Sequence, residues 1–179
     1  MTFEFITTEQ LLLRKISQET FEYVYANYSN EQLIDFLGLQ NEEQLTVEKN
    51  KFDKGFTTFN KSFLYFQLLD KSNQKIIGWC GYHTWYLDHF RAEIGYGLFD
   101  ESQKKKGLMS EAMKAILEYG FHQMKLNRVE AFIGTHNTPS LKLVAKFGFT
   151  KEGVLRSHYF KNNVMEDSVV FSLLKEEFS

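Results

Sequence analysis

The sequence predicts a single-domain layered fold of strands and helices, α/β or α+β, built on one mixed sheet. Three observations carry this. The elements run in the order strand, helices, three strands, helix, strand, helix, two strands. A meander feeding a strand–helix–strand unit gives a mixed sheet covered by helices. One proline and 11 glycines in 179 residues leave no linker or repeat at which to divide the chain, so residues 1–179 read as one domain. Apolar residues are 43% and charged residues 25%, ordinary for a globular protein with a sizeable core.

The elements follow in turn. "LLLRKIS" (11–17) reads as the first strand, and Ser17 before "QETFEYVYANY" reads as an N-cap opening a short helix. From Ser29 to about Lys61 the text is polar with spaced apolar residues (Leu33, Ile34, Phe36, Leu37, Leu45, Phe52, Phe56, Phe59), which predicts two further helices. "SFLYFQLLD" (62–70), "KIIGWCGYHTWYL" (75–87) and "AEIGYGLF" (92–99) are strands, turned at "KSNQ" and "DHFR". Apolar residues at 109, 112, 113, 116, 120 and 124 mark a helix with one face on the sheet, and Gly120 on that stripe permits close approach. "RVEAFIG" (128–134) is a strand. "TPSLKLVAKFG" is a helix with Thr138 as N-cap, Pro139 at its first position and Gly148 past its end. Two strands joined at "KNN" close the chain.

Composition also excludes. The 21 lysines and arginines against 23 aspartates and glutamates give a net charge of −2, which argues against a general nucleic-acid binder. Cys80 is the lone cysteine, so no internal disulfide framework exists. The start, "MTFEFITTEQLLLRK", has no basic region followed by a long apolar run. No stretch reaches the roughly 18 apolar residues of a membrane helix. The expectation is a protein of the reducing cytoplasm, without nucleic-acid or membrane partners. His83, Asp88 and His89 match no metal template, and Cys80 reads as a buried inert thiol.

The chemistry concentrates at "DESQKKKGLMSEAMKAILEYG" (100–120). Lys104, Lys105 and Lys106 stand where a helix begins, at the end where unpaired N–H groups and the macrodipole favour negative charge. Either this is a solvated lysine turn or an anion such as a phosphate resolves the conflict. The strand before it carries Gly95 and Gly97 on the same face as Glu93, a sign of a bulge or a close approach by a ligand. The loop is neither a Walker loop nor a GxGxxG fingerprint.

Taken together these segments resemble a GNAT-type N-acyltransferase. "KKKGLM" (104–109) occupies the place of that superfamily's acetyl-CoA loop, [RQ]-x-x-G-x-[GA], with Gly107 matching and Lys104 and Met109 departing. "KKGLMSEA", "AEIGYGL" and the closing "SVVFSLLKEEF" resemble the branch that acetylates N-termini of ribosomal proteins. "NTPSLKLVAKFGFTKEG" resembles that branch's signature through Asn137, Ser140, Leu143, Lys146, Gly148, Phe149, Glu152 and Gly153. The resemblance is firm over residues 75–175. It implies a mostly antiparallel sheet of six to seven strands, helices on both faces, splayed between the fourth and fifth strands.

For the site it implies acetyl-CoA as co-substrate, no metal, and direct transfer to a primary amine. The pyrophosphate would meet the loop and helix start at Lys104, Lys105, Lys106, Gly107, Leu108, Met109 and Ser110. The pantetheine arm would run beside Tyr96, Leu98 and Phe99, and Asn137 would bond it, left free because Thr138 caps the helix. Glu93 is the base candidate, acting through a water. Ser140 is the donor to the leaving thiolate, with Tyr159 second. The competing readings are an exposed strand carboxylate for Glu93, a core aromatic for Tyr159, and turn chemistry for Asn137 and Ser140. The acceptor would be an N-terminal α-amine, about one in ten of which is neutral at pH 7; a lysine amine costs roughly 3.5 kcal/mol more to deprotonate. A small amine (antibiotic, amino acid or polyamine) and a CoA-binding module without turnover are the alternatives. A monomer or a homodimer is expected.

Overall fold

The computed structural model describes residues 1–55 and 61–178. The strands are β1 (Phe5–Thr7), β2 (Leu11–Ile16), β3 (Ser62–Asp70), β4 (Ile76–Tyr86), β5 (Arg91–Leu98), β6 (Arg128–Gly134), β7 (Thr150–Lys161) and β8 (Val164–Leu174). The helices are α1 (Gln18–Asn27), α2 (Asn30–Leu37), α3 (Glu42–Asp53), α4 (Leu108–His122) and α5 (Thr138–Lys146). The strands form one sheet in the order β1–β2–β3–β4–β5–β6–β8–β7, antiparallel except between β5 and β6.

The sheet has eight strands, where the resemblance implies six or seven. The addition is β1, three residues with no room to show alternation. Its turn into β2 is fastened from a distance: Glu111 on α4 accepts hydrogen bonds from the Thr8 hydroxyl and, at 2.7 Å, from the Gln10 N–H.

Two cores lie on opposite faces. On one, α4 buries Ala112, Met113, Ile116, Leu117 and Phe121 against Leu64, Phe66, Leu68, Tyr82 and Ile94. Gly120 lets the helix settle there: a Cβ would stand 2.1 Å from the Tyr82 hydroxyl, which donates to the Ile116 carbonyl at 2.8 Å. On the other face α1, α2 and α3 bury Phe21, Val24, Leu33, Phe36 and Leu45 with Ile16 and Phe63. Ser17 caps α1 and Ser29 caps α2, each through a capping box. Phe56 and Phe59 lie outside the described residues.

One cap differs from expectation. Asn137, not Thr138, caps α5, accepting the Ser140 N–H on its Oδ1 at 3.3 Å. Asparagine is the stronger cap, and it sits three residues before the amide it satisfies. Thr138 becomes the first helical residue and Pro139 the second.

The feature that makes a site is a fault in the sheet. β5 and β6 pair over three positions, Arg91↔Arg128, Ala92↔Val129 and Glu93↔Glu130, and then part. Beyond Glu93 the β6 side of β5 has no strand partner among the described residues, while the other edge of β6 stays paired with β8 from Arg128↔Leu174 to Gly134↔Ser168. This is the expected splay; counting β1, it falls between the fifth and sixth strands.

Candidate active site

The fault opens a crevice of about 260 Å³, lined among others by Glu93, Tyr96, Asn137, Ser140 and Tyr159. Five of the residues singled out in the sequence therefore meet in one place, drawn from β5, α5 with its cap, and β7. Along β5 the backbone alternates. The Phe99 N–H donates to the Ile77 carbonyl on β4 at 3.0 Å. The N–H groups of Tyr96 and Leu98 therefore face the other way, into the gap. Phe99 does not join them: its amide is engaged by β4, and its side chain, 57% exposed, lines a second cavity.

Glu93 is not an exposed strand carboxylate; it is buried, at 7% exposure. Burial pushes its carboxyl up to about 7, with the Tyr159 hydrogen bond lowering it and the charge of Glu130 raising it. The Tyr159 hydroxyl donates to its Oε1 at 3.4 Å, and His83 Nδ1 stands 3.5 Å from its Oε2. Burial holds the His83 imidazole below its ordinary value, so it is neutral near pH 7.

Both neighbours of Glu93 are aimed by irregular backbone. The β4–β5 register slips between His83 and Tyr86, where Thr84 has φ 51°. The β7–β8 register slips between Leu155 and Tyr159, where Ser157 has φ 49° and its N–H is held by Asp167 Oδ1 at 2.8 Å. Bulges beside a site turn side chains that regular pairing would point elsewhere. His83 and Asp167 are thus participants that residue patterns did not bring out.

Deeper in the crevice, the Tyr96 hydroxyl is buried without a hydrogen-bond partner among the described residues. Burial raises its phenol, and the neighbouring Ser140 hydroxyl lowers it. A buried unsatisfied donor carries a desolvation penalty that a ligand could relieve.

The third part is the start of α4. Gly107 is its N-cap at φ 81°, with no side-chain cap, so the first N–H groups of the helix are unpaired by the helix itself. Nothing lies within 4 Å of where a Gly107 Cβ would stand, leaving the helix end open. The three lysines are less available than their run in the chain implies. Lys104 is ion-paired with Glu101, and Lys106 interacts with Asp70 and Asp100. A cation arrives instead from α5: Lys146 donates to the Ser110 hydroxyl at 2.6 Å. In the sequence Lys146 stands out only as a member of the signature, with nothing to point it at this helix start.

These features fit an extended ligand with phosphate at one end and a thioester at the other. Open helix N–H groups suit the phosphates, an unpaired β5 edge suits an amide-bearing arm, and buried hydroxyls suit the sulfur end. A buried carboxyl beside them suits an amine.

Residues 10–150 match the family model described as Acetyltransferase (GNAT) domain. The chain is 31% identical over 174 residues to the uncharacterized N-acetyltransferase YoaA of Bacillus subtilis, covering 97% of this chain and 98% of that protein. It is 30% identical over 131 residues to the [Ribosomal protein uS5]-alanine N-acetyltransferase of Escherichia coli, covering 73% and 64%. A crystal structure of a GNAT-family acetyltransferase from Bacillus anthracis superposes with a TM-score of 0.67 at 28% identity, covering 97% and 99%. The chain belongs to the GNAT family and is an N-acetyltransferase.

Proposed function

We propose that this enzyme transfers an acetyl group from acetyl-CoA directly to a primary amine held beside Glu93, and that the amine is a protein N-terminal α-amine. What carries the reading is Glu93 itself: a buried carboxyl titrating at about 7, in a crevice lined by hydroxyls. A base with that value is matched to removing a proton at neutral pH. An α-amine, with a pKa near 7.7–8.0, needs no stronger one.

Acetyl-CoA supplies the activated acetyl group. The chain's residues do the rest. Glu93 takes the amine's proton, directly or through a water, and Tyr159 orients the carboxylate by donating to Oε1. The Leu98 N–H, turned into the gap, offers a donor to charge developing on the acyl oxygen. Ser140 and Tyr96 present hydroxyls to the departing sulfur. Gly107, Leu108, Met109 and Ser110 offer backbone N–H groups to the pyrophosphate, with Lys105 and Lys146 adding attraction. Asn137 reaches the arm with its amide nitrogen, since its oxygen caps α5.

The ribosomal-protein relative supports a peptide acceptor; a small amine is the other acceptor class. CoA release measured with peptides and small amines, followed by mass-spectrometric location of the acetyl group, tests this. Acetylation at peptide α-amines is expected. Acetyl on lysine side chains only would overturn the α-amine assignment, and no CoA release with any amine would overturn acetyl transfer.

A further inference from the structure

A second cavity, about 650 Å³, opens on the Glu93 face of the sheet under α1, α2 and α3. Trp79 and His83 line both this cavity and the crevice, so the two meet at those side chains. Gly95 makes the junction possible: a Cβ there would stand 2.8 Å from the Trp79 ring and 2.8 Å from His83 Nε2. The walls are aromatic. Tyr65 stands edge-on to Trp79 at 6.1 Å, and Phe21 and Phe63 each pack on Tyr65 at 6.1 Å.

The charge there is equally one-sided. Among the described lining residues Glu48 is the single carboxylate, and Lys51 engages it at 2.6 Å. Lys61 is a second lysine, held 5.0 Å from the Tyr86 ring centre. Behind Gln67, which also lines the cavity, the Arg14 guanidinium donates to its Oε1 at 2.7 Å. The lining thus carries two lysines against one paired carboxylate, and Arg14, which also feels Asp35, stands behind it. A second positive charge on the acceptor would be repelled, and a group of methyl size would leave apolar walls wet.

We infer that the acceptor is a monoamine bearing a bulky apolar group of aromatic size, and that this group occupies the cavity beside Trp79 while the amine faces Glu93. This rests on the crevice being the acetyl-transfer site. Two sources share the chemistry: a peptide whose first residue is bulky and apolar, and a free arylalkylamine.

Initial rates of CoA release at fixed acetyl-CoA separate the possibilities. The acceptors are peptides beginning with Phe or Leu, the same peptides beginning with Ala or Ser, 2-phenylethylamine, and spermidine. The bulky acceptors are expected to exceed their Ala counterparts and spermidine in kcat/KM by roughly tenfold or more, in line with what apolar pockets discriminate. The better of Phe peptide and 2-phenylethylamine identifies the source. Tyr65→Ala should erase most of that preference. If it does not fold, Lys51→Glu, at a half-exposed position, should narrow spermidine's disadvantage several-fold by reversing one charge. Equal or faster turnover of Ala peptides or spermidine by the unaltered enzyme overturns the acceptor inference and leaves acetyl transfer standing. No CoA release with any amine overturns acetyl transfer and the inference with it.

Discussion

Two glutamates sit side by side in the sheet, Glu93 on β5 and Glu130 on β6, in register with each other. Their surroundings are opposite. Glu130 is held by Arg91 at 2.7 Å and by Arg128 at 2.8 Å. Arg128 also grips Glu152 on β7 at 2.7 Å, and the Ser172 hydroxyl of β8 donates to the same carboxylate at 2.6 Å. Glu93 has no arginine or lysine partner among the described residues, only a phenol and a neutral imidazole. One carboxylate cluster ties four strands together; the carboxyl beside it is left able to change its charge. Arg128 holds Glu152 down at about 2, while burial lifts Glu93 to about 7. The lesson is that distance to a carboxylate does not define a site; the missing counter-ion does.

The largest expected effect breaks the reactive half of that pair. Glu93→Gln should lower kcat/KM by roughly 10²–10⁴-fold, the range for a positioned acid–base group. The limb of the pH–rate profile near 7 should vanish with it. The same substitution carries a stability signature. The folded carboxyl binds its proton more tightly than the ordinary 4.5, so stability declines as pH rises from about 4.5 to about 7. Glu93→Gln should remove that decline, seen as a Tm at pH 8 closer to that at pH 5. A full-strength enzyme with an unchanged pH profile would falsify the assignment of Glu93 as base.

Next comes the far end of the site. Gly107→Val forces a β-branched residue to φ 81°, with no steric neighbour to blame. Acetyl-CoA binding should weaken roughly tenfold or more, because the strain distorts the first turn of α4 that presents its N–H groups. Lys105→Ala, by contrast, should cost less than about threefold, since it removes one exposed charge. Calorimetry on both variants distinguishes backbone recognition from lysine recognition; equal losses would reverse that ranking.

The structural half breaks differently. Arg128→Ala should destabilise the fold by roughly 1–2 kcal/mol at pH 7, a loss of charge-assisted hydrogen bonds discounted for exposure. Glu152, held low by Arg128 and Ser172, contributes stability above about 4.5 that fades as pH falls towards about 2. The variant should flatten this acid-side loss in a denaturation series. It should also raise the pH of the rate limb, because Glu130 then repels the Glu93 carboxylate with less compensation.

How much of this was legible in the chain follows from what each feature depends on. α4 was readable because its apolar residues repeat at helical spacing over fifteen residues. Gly148 was readable as local cap chemistry, whereas Asn137 and Ser140 were placed by resemblance and the choice of Asn137 over Thr138 as the cap was not legible. Glu93, Tyr96 and Tyr159 were placed by resemblance, and their meeting depends on the splay and on two bulges. A bulge is a mismatch between strands, with no signature inside either one: Thr84 and Ser157 are ordinary residues in unusual φ. Lys146 reaching Ser110, and Lys104 lost to Glu101, are likewise contacts that the linear text does not rank.

The finest test concerns the phenol that separates Glu93 from an ordinary buried acid. The Tyr159 hydroxyl stabilises the carboxylate form and lowers its pKa against the push of burial. Tyr159→Phe removes that donor and keeps the ring, so the pH–rate limb should move above 7. At pH 7 the rate should fall a few-fold, since less Glu93 is ionised, and should recover at higher pH where the carboxylate forms again. A hydroxyl acting as the proton donor to the leaving sulfur would behave otherwise: its loss would lower the plateau at every pH. The profile of this one variant therefore decides between Tyr159 as a positioning residue for Glu93 and Tyr159 as an acid in its own right. The 3.4 Å contact to Glu93 and the bulge that aims it favour the first.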